Sequence, residues 1–148
     1  MSGRGDGDGG VAVRAGEAAD TGAVLAFWER AAEGVSISDD EAGVRRLLAR
    51  DPGALLLAER GDGELVGTVI AGFDGWRCHL YRLAVAPQWR RHGVATALLA
   101  AAERRFAALG GRRADAMVLH RNDLAQRAWR ARGYVLQEEW GRWVKPLR

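Results

Sequence analysis

The sequence predicts an α/β fold, an α+β mixed sheet of about seven strands with about four helices. The sheet is expected to be antiparallel at its ends and parallel in its middle. Three observations carry this. Three β-type segments separated by glycine turns follow one another between residues 54 and 86, the pattern of a meander. The third runs into a helical period and then another apolar segment, a strand–helix–strand unit that closes as a right-handed parallel crossover. The chain then ends in two alternating segments around Gly141, "YVLQEEW" and "RWVKPL", which read as a hairpin.

The elements follow in order. Residues 1–10 are polar and glycine-rich and read as a disordered tail ahead of one domain over 11–148. "VAVRA" (11–15) alternates as a first strand. Residues 17–33 place Val24, Leu25, Phe27 and Trp28 at helical spacing. Ser38 followed by Glu41 has the capping-box pattern and predicts a second helix ending near Asp51-Pro52. The meander strands are 54–60, 64–73 and 78–86. A helix over 93–109 turns Ala95, Leu98, Leu99, Ala102, Phe106 and Leu109 inward and Glu103, Arg104 and Arg105 outward. Gly110-Gly111 ends it. A strand over 114–120 follows, then a helix capped by Asn122 and stopped by Gly133.

Composition narrows the function classes. The chain of 148 residues has 22 basic and 19 acidic residues, a net charge of +3, and every basic residue but Lys145 is arginine. The charges are scattered, whereas a nucleic-acid binder concentrates cations on one face, so no nucleic-acid partner is expected. No run approaches the about 20 apolar residues of a membrane span, and the N-terminus lacks the apolar middle of a secretion signal, so no membrane and a cytoplasmic location are expected. The single Cys78 excludes an internal disulfide, and no metal site is expected.

The stretch "VAPQWRRHGVATALLAAAERR" (85–105) carries the strongest chemical signal. A strand, a tight turn with three cations and a helix start read as an anion cradle, the plainer alternative being an ordinary loop with solvated arginines. The first N–H groups of a helix have no internal partner, and its dipole is positive there. Gly93 lets an anion approach the backbone closely. The N–H groups from His92 through Thr96 face phosphate oxygens in this reading, with Arg90 and Arg91 adding charge. Each hydrogen bond to a charged group contributes about 1.5–3 kcal/mol. Three or four of them give micromolar binding of a diphosphate or larger ligand. A P-loop and an early dinucleotide-binding glycine run are both absent from the sequence.

The run Arg90-Arg91-His92-Gly93-Val94-Ala95 resembles the acetyl-CoA signature of the GNAT superfamily of N-acetyltransferases, Gln/Arg-x-x-Gly-x-Gly/Ala. A second family signature has an Asn, an Ala three on, a Tyr seven on and Gly-Phe eleven on. Here Asn122, Ala125, Trp129, Gly133 and Tyr134 stand at those spacings. The resemblance covers residues 11–147. It implies a GNAT-like sheet whose central parallel pair is splayed to admit acetyl-CoA as co-substrate. Pantetheine would bond to the backbone of Leu83, Ala84 and Val85. The pyrophosphate would lie on Arg91, His92, Gly93, Val94, Ala95 and Thr96. Asn122, Ala125 and Trp129 would face the pantetheine arm.

The implied reaction is transfer of an acetyl group from the thioester to an amine acceptor by direct attack. It needs one group to take the amine proton and another to protonate the leaving thiolate. Many relatives use the tyrosine of the second signature as that acid. Trp129 holds its place here, and an indole N–H is no acid. General acid catalysis contributes about 10²–10⁴-fold, but a thiol with a pKa near 8.5 leaves tolerably without it. Tyr134 reads as core. No carboxylate lies on the strand 78–86 where relatives often carry the base. His79 and Tyr81 share the sequence parity of Leu83 and Val85, and His120 sits at the mouth of the opposing strand, so each is a candidate. Glu138 and Glu139 are candidates for recruiting a cationic amine. A lysine side chain is neutral in roughly one molecule per 2,500 at pH 7, a penalty of about 4.6 kcal/mol, against about 1–1.4 kcal/mol for an α-amine. Without a clear base, a low-pKa amine is favoured.

Trp129 and the missing carboxylate also fit a non-catalytic acyl-CoA sensor or interaction module, the alternative reading. Trp28, Trp140 and Trp143 lie in segments that border the acceptor cleft in relatives, with core packing as the ordinary role of each. On a terminal strand Trp140 and Trp143 also suggest a homodimer edge.

Overall fold

The computed structural model describes residues 10–34 and 36–147; the glycine-rich tail expected over 1–10 lies outside these except for Gly10. The elements are β1 (Ala12–Ala15), α1 (Thr21–Ala31), α2 (Glu41–Arg50), β2 (Leu55–Glu59), β3 (Leu65–Phe73), β4 (Cys78–Val85), α3 (Val94–Ala108), β5 (Ala114–Ala116) and α4 (Asp123–Ala131). Short 3-10 turns precede α1 (Ala18–Asp20) and α3 (Pro87–Trp89).

The strands form one sheet in the order β1-β2-β3-β4-β5. The first four pair antiparallel and β4–β5 pair parallel. The meander and the parallel crossover through α3 thus stand as expected. Helices cover both faces. On one, Val94, Leu98, Leu99, Ala102 and Phe106 of α3 and Trp129 of α4 pack on Val66, Val69, Ala71, Cys78 and Leu80. On the other, Val24, Phe27, Trp28 and Ala31 of α1 and Val44 of α2 cover Leu55, Leu57, Ala84 and Ala86. A Cβ at Gly67 would stand 2.7 Å from Val94 Cγ1 and 2.9 Å from Leu98 Cδ1. The missing side chain therefore lets the first turn of α3 sit directly on β3.

Among the described residues five strands form where about seven were expected. The hairpin over 134–147 is absent: residues 135–147 carry no strand, and Val135, Trp140, Trp143 and Leu147 are exposed. An isolated hairpin is marginal in water, and β5 offers it a pairing edge of only three residues. β5 itself stops at Ala116 instead of reaching His120, because its partner β4 changes course beyond Leu80.

Smaller corrections have local causes. Ser38 does not cap α2. Asp40, an equally good cap, accepts from the Gly43 N–H at 2.7 Å and starts the helix at Glu41. Leu109 is exposed because it lies past the last turn of α3, while Val94, ahead of the expected inward row, is buried. Glu103 and Arg105 are not free outward charges: Glu103 pairs with Arg132, and Arg105 with Asp51.

Candidate functional site

β4 leads into the turn that sequence reading singled out. After the 3-10 turn Pro87–Trp89, Arg91 and Gly93 both take left-handed backbone, at φ 65° and 77°. Gly93 is the N-cap of α3 and supplies no side-chain cap. Among the described residues, the amide N–H groups of Arg91, His92, Gly93, Val94, Ala95 and Thr96 have no backbone or side-chain acceptor within the chain. The result is a row of six donors at the positive end of a helix of 15 residues. His92 Nδ1 lies 2.8 Å from the Arg90 carbonyl, and its ring meets Trp89 edge-on at 5.2 Å. Trp89 in turn lies under the Arg60 guanidinium, 4.4 Å from its ring centre. These contacts hold the turn without using its amides, so the donor set fits a phosphate group.

One strand length away, β4 carries a bulge. Thr68 pairs with Ala84 and Ile70 with Tyr81, so Arg82 and Leu83 together oppose the single Val69. Arg82 takes left-handed backbone at φ 51°. Its carbonyl accepts from Thr68 Oγ1 at 2.9 Å, and Thr68 Oγ1 accepts from Trp28 Nε1 at 2.9 Å. Both Thr68 and Trp28 are buried. The bulge inverts the strand: Cys78 and Leu80 face α3 and α4, and beyond Arg82 it is Leu83 and Val85 that do so. His79 and Tyr81 therefore do not share a face with Leu83 and Val85, contrary to the parity read from the sequence.

Past Leu80 the parallel pair separates. A cleft of about 110 Å³ opens there, lined on one side by Leu80, Tyr81, Arg82 and Leu83 and on the other by Met117, Val118, Leu119, Asn122, Ala125 and Trp129. Ala32 and the exposed Glu33 complete its lining. Beyond the bulge, β4 pairs with β3 alone, leaving its other edge toward the gap. A larger hollow of about 270 Å³ lies at the other end of the β4–β5 pair, among Trp76, Arg77, Arg112, Arg113 and Asp115. It shares no residue with the cleft or with the amide row.

The sequence-predicted residues divide accordingly. Leu83, Asn122, Ala125 and Trp129 line the cleft. Val85 packs on the α3 side and Ala84 is buried on the α1 side. Asn122 caps α4, its Oδ1 accepting from the Ala125 N–H at 3.0 Å. Trp129 is buried, with Tyr134 edge-on at 4.9 Å. The Tyr134 hydroxyl donates to Glu103 at 3.0 Å; burial, then this bond, raises its pKa far above the ordinary phenol value. Tyr134 thus packs against the core, partly buried, and is absent from the cleft lining. Tyr81 lines the cleft, and burial raises its pKa as well. His79 points instead toward Asp74, with Nε2 3.9 Å from that carboxylate. His120 is exposed, and only its carbonyl is engaged, by Gln126 Nε2 at 2.5 Å. Glu138 and Glu139 lie exposed in the segment without strand, and the cleft brings none of these four carboxyl and imidazole groups to its lining. Trp28 is core, whereas Trp140 and Trp143 are not packed.

Sequence reading missed Arg82 and Glu33. An arginine inside an apolar strand was the available signal for the first. Glu33, in the connection after α1, carried none. Among the described residues no group of three His, Cys, Asp or Glu is placed to hold a metal ion, and no helix is long and apolar enough to cross a membrane.

A three-layer α/β/α sheet, splayed at its parallel pair and with an amide row at the start of the crossover helix, has the shape to take an acyl thioester with a phosphate-bearing arm. The sequence pattern of the acetyltransferase (GNAT) family matches residues 23–134. An acetyltransferase of Pectobacterium atrosepticum is 39% identical over 101 residues, covering 68% of this chain and 71% of that protein. Ard1 from Thermoplasma volcanium has the same fold at a TM-score of 0.75 and 20% identity, covering 86% of this chain and 84% of that one. A GNAT superfamily phosphinothricin acetyltransferase from Sinorhizobium meliloti, solved in complex with AcCoA, matches at a TM-score of 0.71 and 22% identity, over 86% and 76% of the two chains. The chain belongs to the GNAT acetyltransferase family.

Proposed function

We propose that the protein transfers an acetyl group from acetyl-CoA to an amine by direct attack of the amine on the thioester carbonyl. One observation carries this reading. The six free amides from Arg91 to Thr96 and the cleft at Leu83 lie along the same strand and the turn that follows it. A diphosphate on the amides therefore leads its arm down the unpaired edge of β4 toward the bulge. When bound, acetyl-CoA supplies an acyl group already activated as a thioester.

The chain's own residues do the rest. Gly93 and its neighbours bind the pyrophosphate, with Arg90 and Arg91 adding charge. The backbone of Leu83, Ala84 and Val85 orients the pantetheine, while Asn122, Ala125 and Trp129 wall it from water. Backbone N–H groups at the bulge face the oxygen where negative charge develops, worth several kcal/mol when preorganised. Of the titratable candidates, Tyr81 alone lines the cleft. Its phenol is protonated at neutral pH, as an ordinary tyrosine is, and donates to the leaving thiolate, although burial raises its pKa and makes it the weaker acid. With no carboxylate or imidazole lining the cleft besides Glu33, an α-amine acceptor is favoured over a lysine side chain by about 3 kcal/mol of deprotonation cost. The reading includes a cytoplasmic location.

Calorimetry with acetyl-CoA, followed by thiol release with a tetrapeptide α-amine and with Nα-acetyl-lysine amide, tests it. Gly93→Val places a branched side chain at φ 77° inside the amide row. Affinity is expected to fall at least about 100-fold, two charge-assisted hydrogen bonds' worth. Unchanged affinity in a folded variant overturns the binding assignment, and binding without thiol release on either amine overturns the transfer reaction.

A further inference from the structure

The Arg82 side chain does more than sit in a bulge. Only 12% exposed, it reaches across the sheet to the connection between α1 and α2. Its Nε donates to Asp39 Oδ1 at 3.0 Å, and Nη2 pairs with the same carboxylate. Nη1 donates to the Glu33 carbonyl at 3.1 Å and the Gly34 carbonyl at 3.3 Å. The guanidinium also stands 5.7 Å from the centre of the Trp28 ring. Asp39 accepts from the Ser36 N–H at 3.0 Å, so its carboxylate holds the loop from within. One planar fork thus grips both ends of this connection, a geometry lysine cannot reproduce.

Two consequences follow. The loop is tied to the same bulge that faces the thioester, through the chain Trp28–Thr68–Arg82. The charge of Arg82 is also matched by Asp39, so Glu33 leaves the lining of the cleft with a net negative charge. A cationic group is attracted there and an anionic one repelled.

We infer that Arg82 is a positioning residue that fixes the α1–α2 connection to the β4 bulge, so that the Glu33 carboxylate receives a cationic amine acceptor at the cleft. This rests on the acetyl-transfer reading above and names its acceptor-recognising wall. The opposite reading of the same residues is that Arg82 merely fills the bulge and the loop orders itself.

Hydrogen exchange on the full chain, with and without acetyl-CoA, separates the two without needing an acceptor. In the unmodified protein, acetyl-CoA is expected to slow exchange in peptides spanning 91–96 and also in those spanning 32–39. In Arg82→Ala the slowing over 91–96 persists and that over 32–39 disappears; Arg82→Lys recovers part of it. No slowing over 91–96 in the unmodified protein overturns the acetyl-CoA reading itself. Slowing there with 32–39 indifferent, or equally slowed in Arg82→Ala, overturns only the inference about Arg82. Should Arg82→Ala not fold, Asp39→Asn and Arg82→Lys carry the same measurement. For Glu33, steady-state rates on the tetrapeptide α-amine at saturating acetyl-CoA are read in Glu33→Gln. KM is expected to rise about ten-fold, the worth of one charge-assisted hydrogen bond, with kcat within about two-fold. An unchanged KM overturns the role given to Glu33.

Discussion

The Thr68 hydroxyl donates to the carbonyl of Arg82 at 2.9 Å, and this bond holds a strand residue in left-handed backbone at φ 51°. A non-glycine residue adopts that conformation at a cost, and surrounding structure must impose it. Here Thr68 is itself anchored by the Trp28 indole at 2.9 Å. The bulge therefore has a buried cause on the neighbouring strand, and the cleft inherits its shape from it.

Thr68→Val tests that cause. The change keeps the shape and removes both hydrogen bonds, leaving the Trp28 N–H and the Arg82 carbonyl buried without partners. A loss of about 3 kcal/mol is expected, at about 1–3 kcal/mol for each orphaned group. Urea unfolding read by fluorescence measures it; a loss below about 1 kcal/mol means the bulge does not depend on Thr68.

The two tyrosines separate the proposed proton donor from a packing residue. Tyr81→Phe removes the one acidic hydroxyl lining the cleft, and kcat is expected to fall by about 10²-fold with acetyl-CoA affinity intact. Tyr134→Phe removes a hydroxyl bound to Glu103. Its kcat should stay within about two-fold, while stability drops by about 1 kcal/mol. Thiol-release kinetics on both variants decide; the reverse pattern would move the proton donor to Tyr134.

Acid sensitivity is expected at the edge of the sheet. Arg14 binds Asp20 through two hydrogen bonds of 2.8 and 2.9 Å, and Glu59 at 2.8 Å. The Arg14 bonds, then the Glu17 N–H, hold the Asp20 carboxyl below its ordinary value against the opposing effect of burial. A depressed folded pKa gives stability that is present above the unfolded value of about 3.9 and lost as pH falls through the folded one. Asp20→Asn should therefore cost about 1 kcal/mol at pH 7, a modest figure because both groups are partly exposed. The gap to the unmodified protein should narrow below about pH 4. Chemical unfolding at a series of pH values shows this; a gap constant into acid would mean Asp20 acts through shape alone.

The meander, the crossover and α3 were legible because their periods are local and strong. Leu98, Leu99, Ala102 and Phe106 form one face whatever they pack on. The amide row at Gly93 was legible for the same reason: a strand end, a glycine and a helix start are adjacent in the chain, and the free donors follow from helix geometry alone. The Asn122 cap was likewise readable from a single turn.

What the chain by itself could not reveal lies in pairings between distant residues. The parity of His79, Tyr81, Leu83 and Val85 is continuous in sequence, and one extra residue at Arg82 breaks it. That break depends on Thr68 and Trp28, which stand 14 and 54 positions away. The expected terminal hairpin failed on the same ground, since the alternation of 134–147 is genuine but β5 provides no edge long enough to receive it. The linear sequence determined the family, the helix faces and the turn of free amides, because each rests on neighbours within a few residues. The tertiary structure decided which side chains line the cleft, because that depends on where β4 bends, and the bend is set by a hydrogen bond across the sheet.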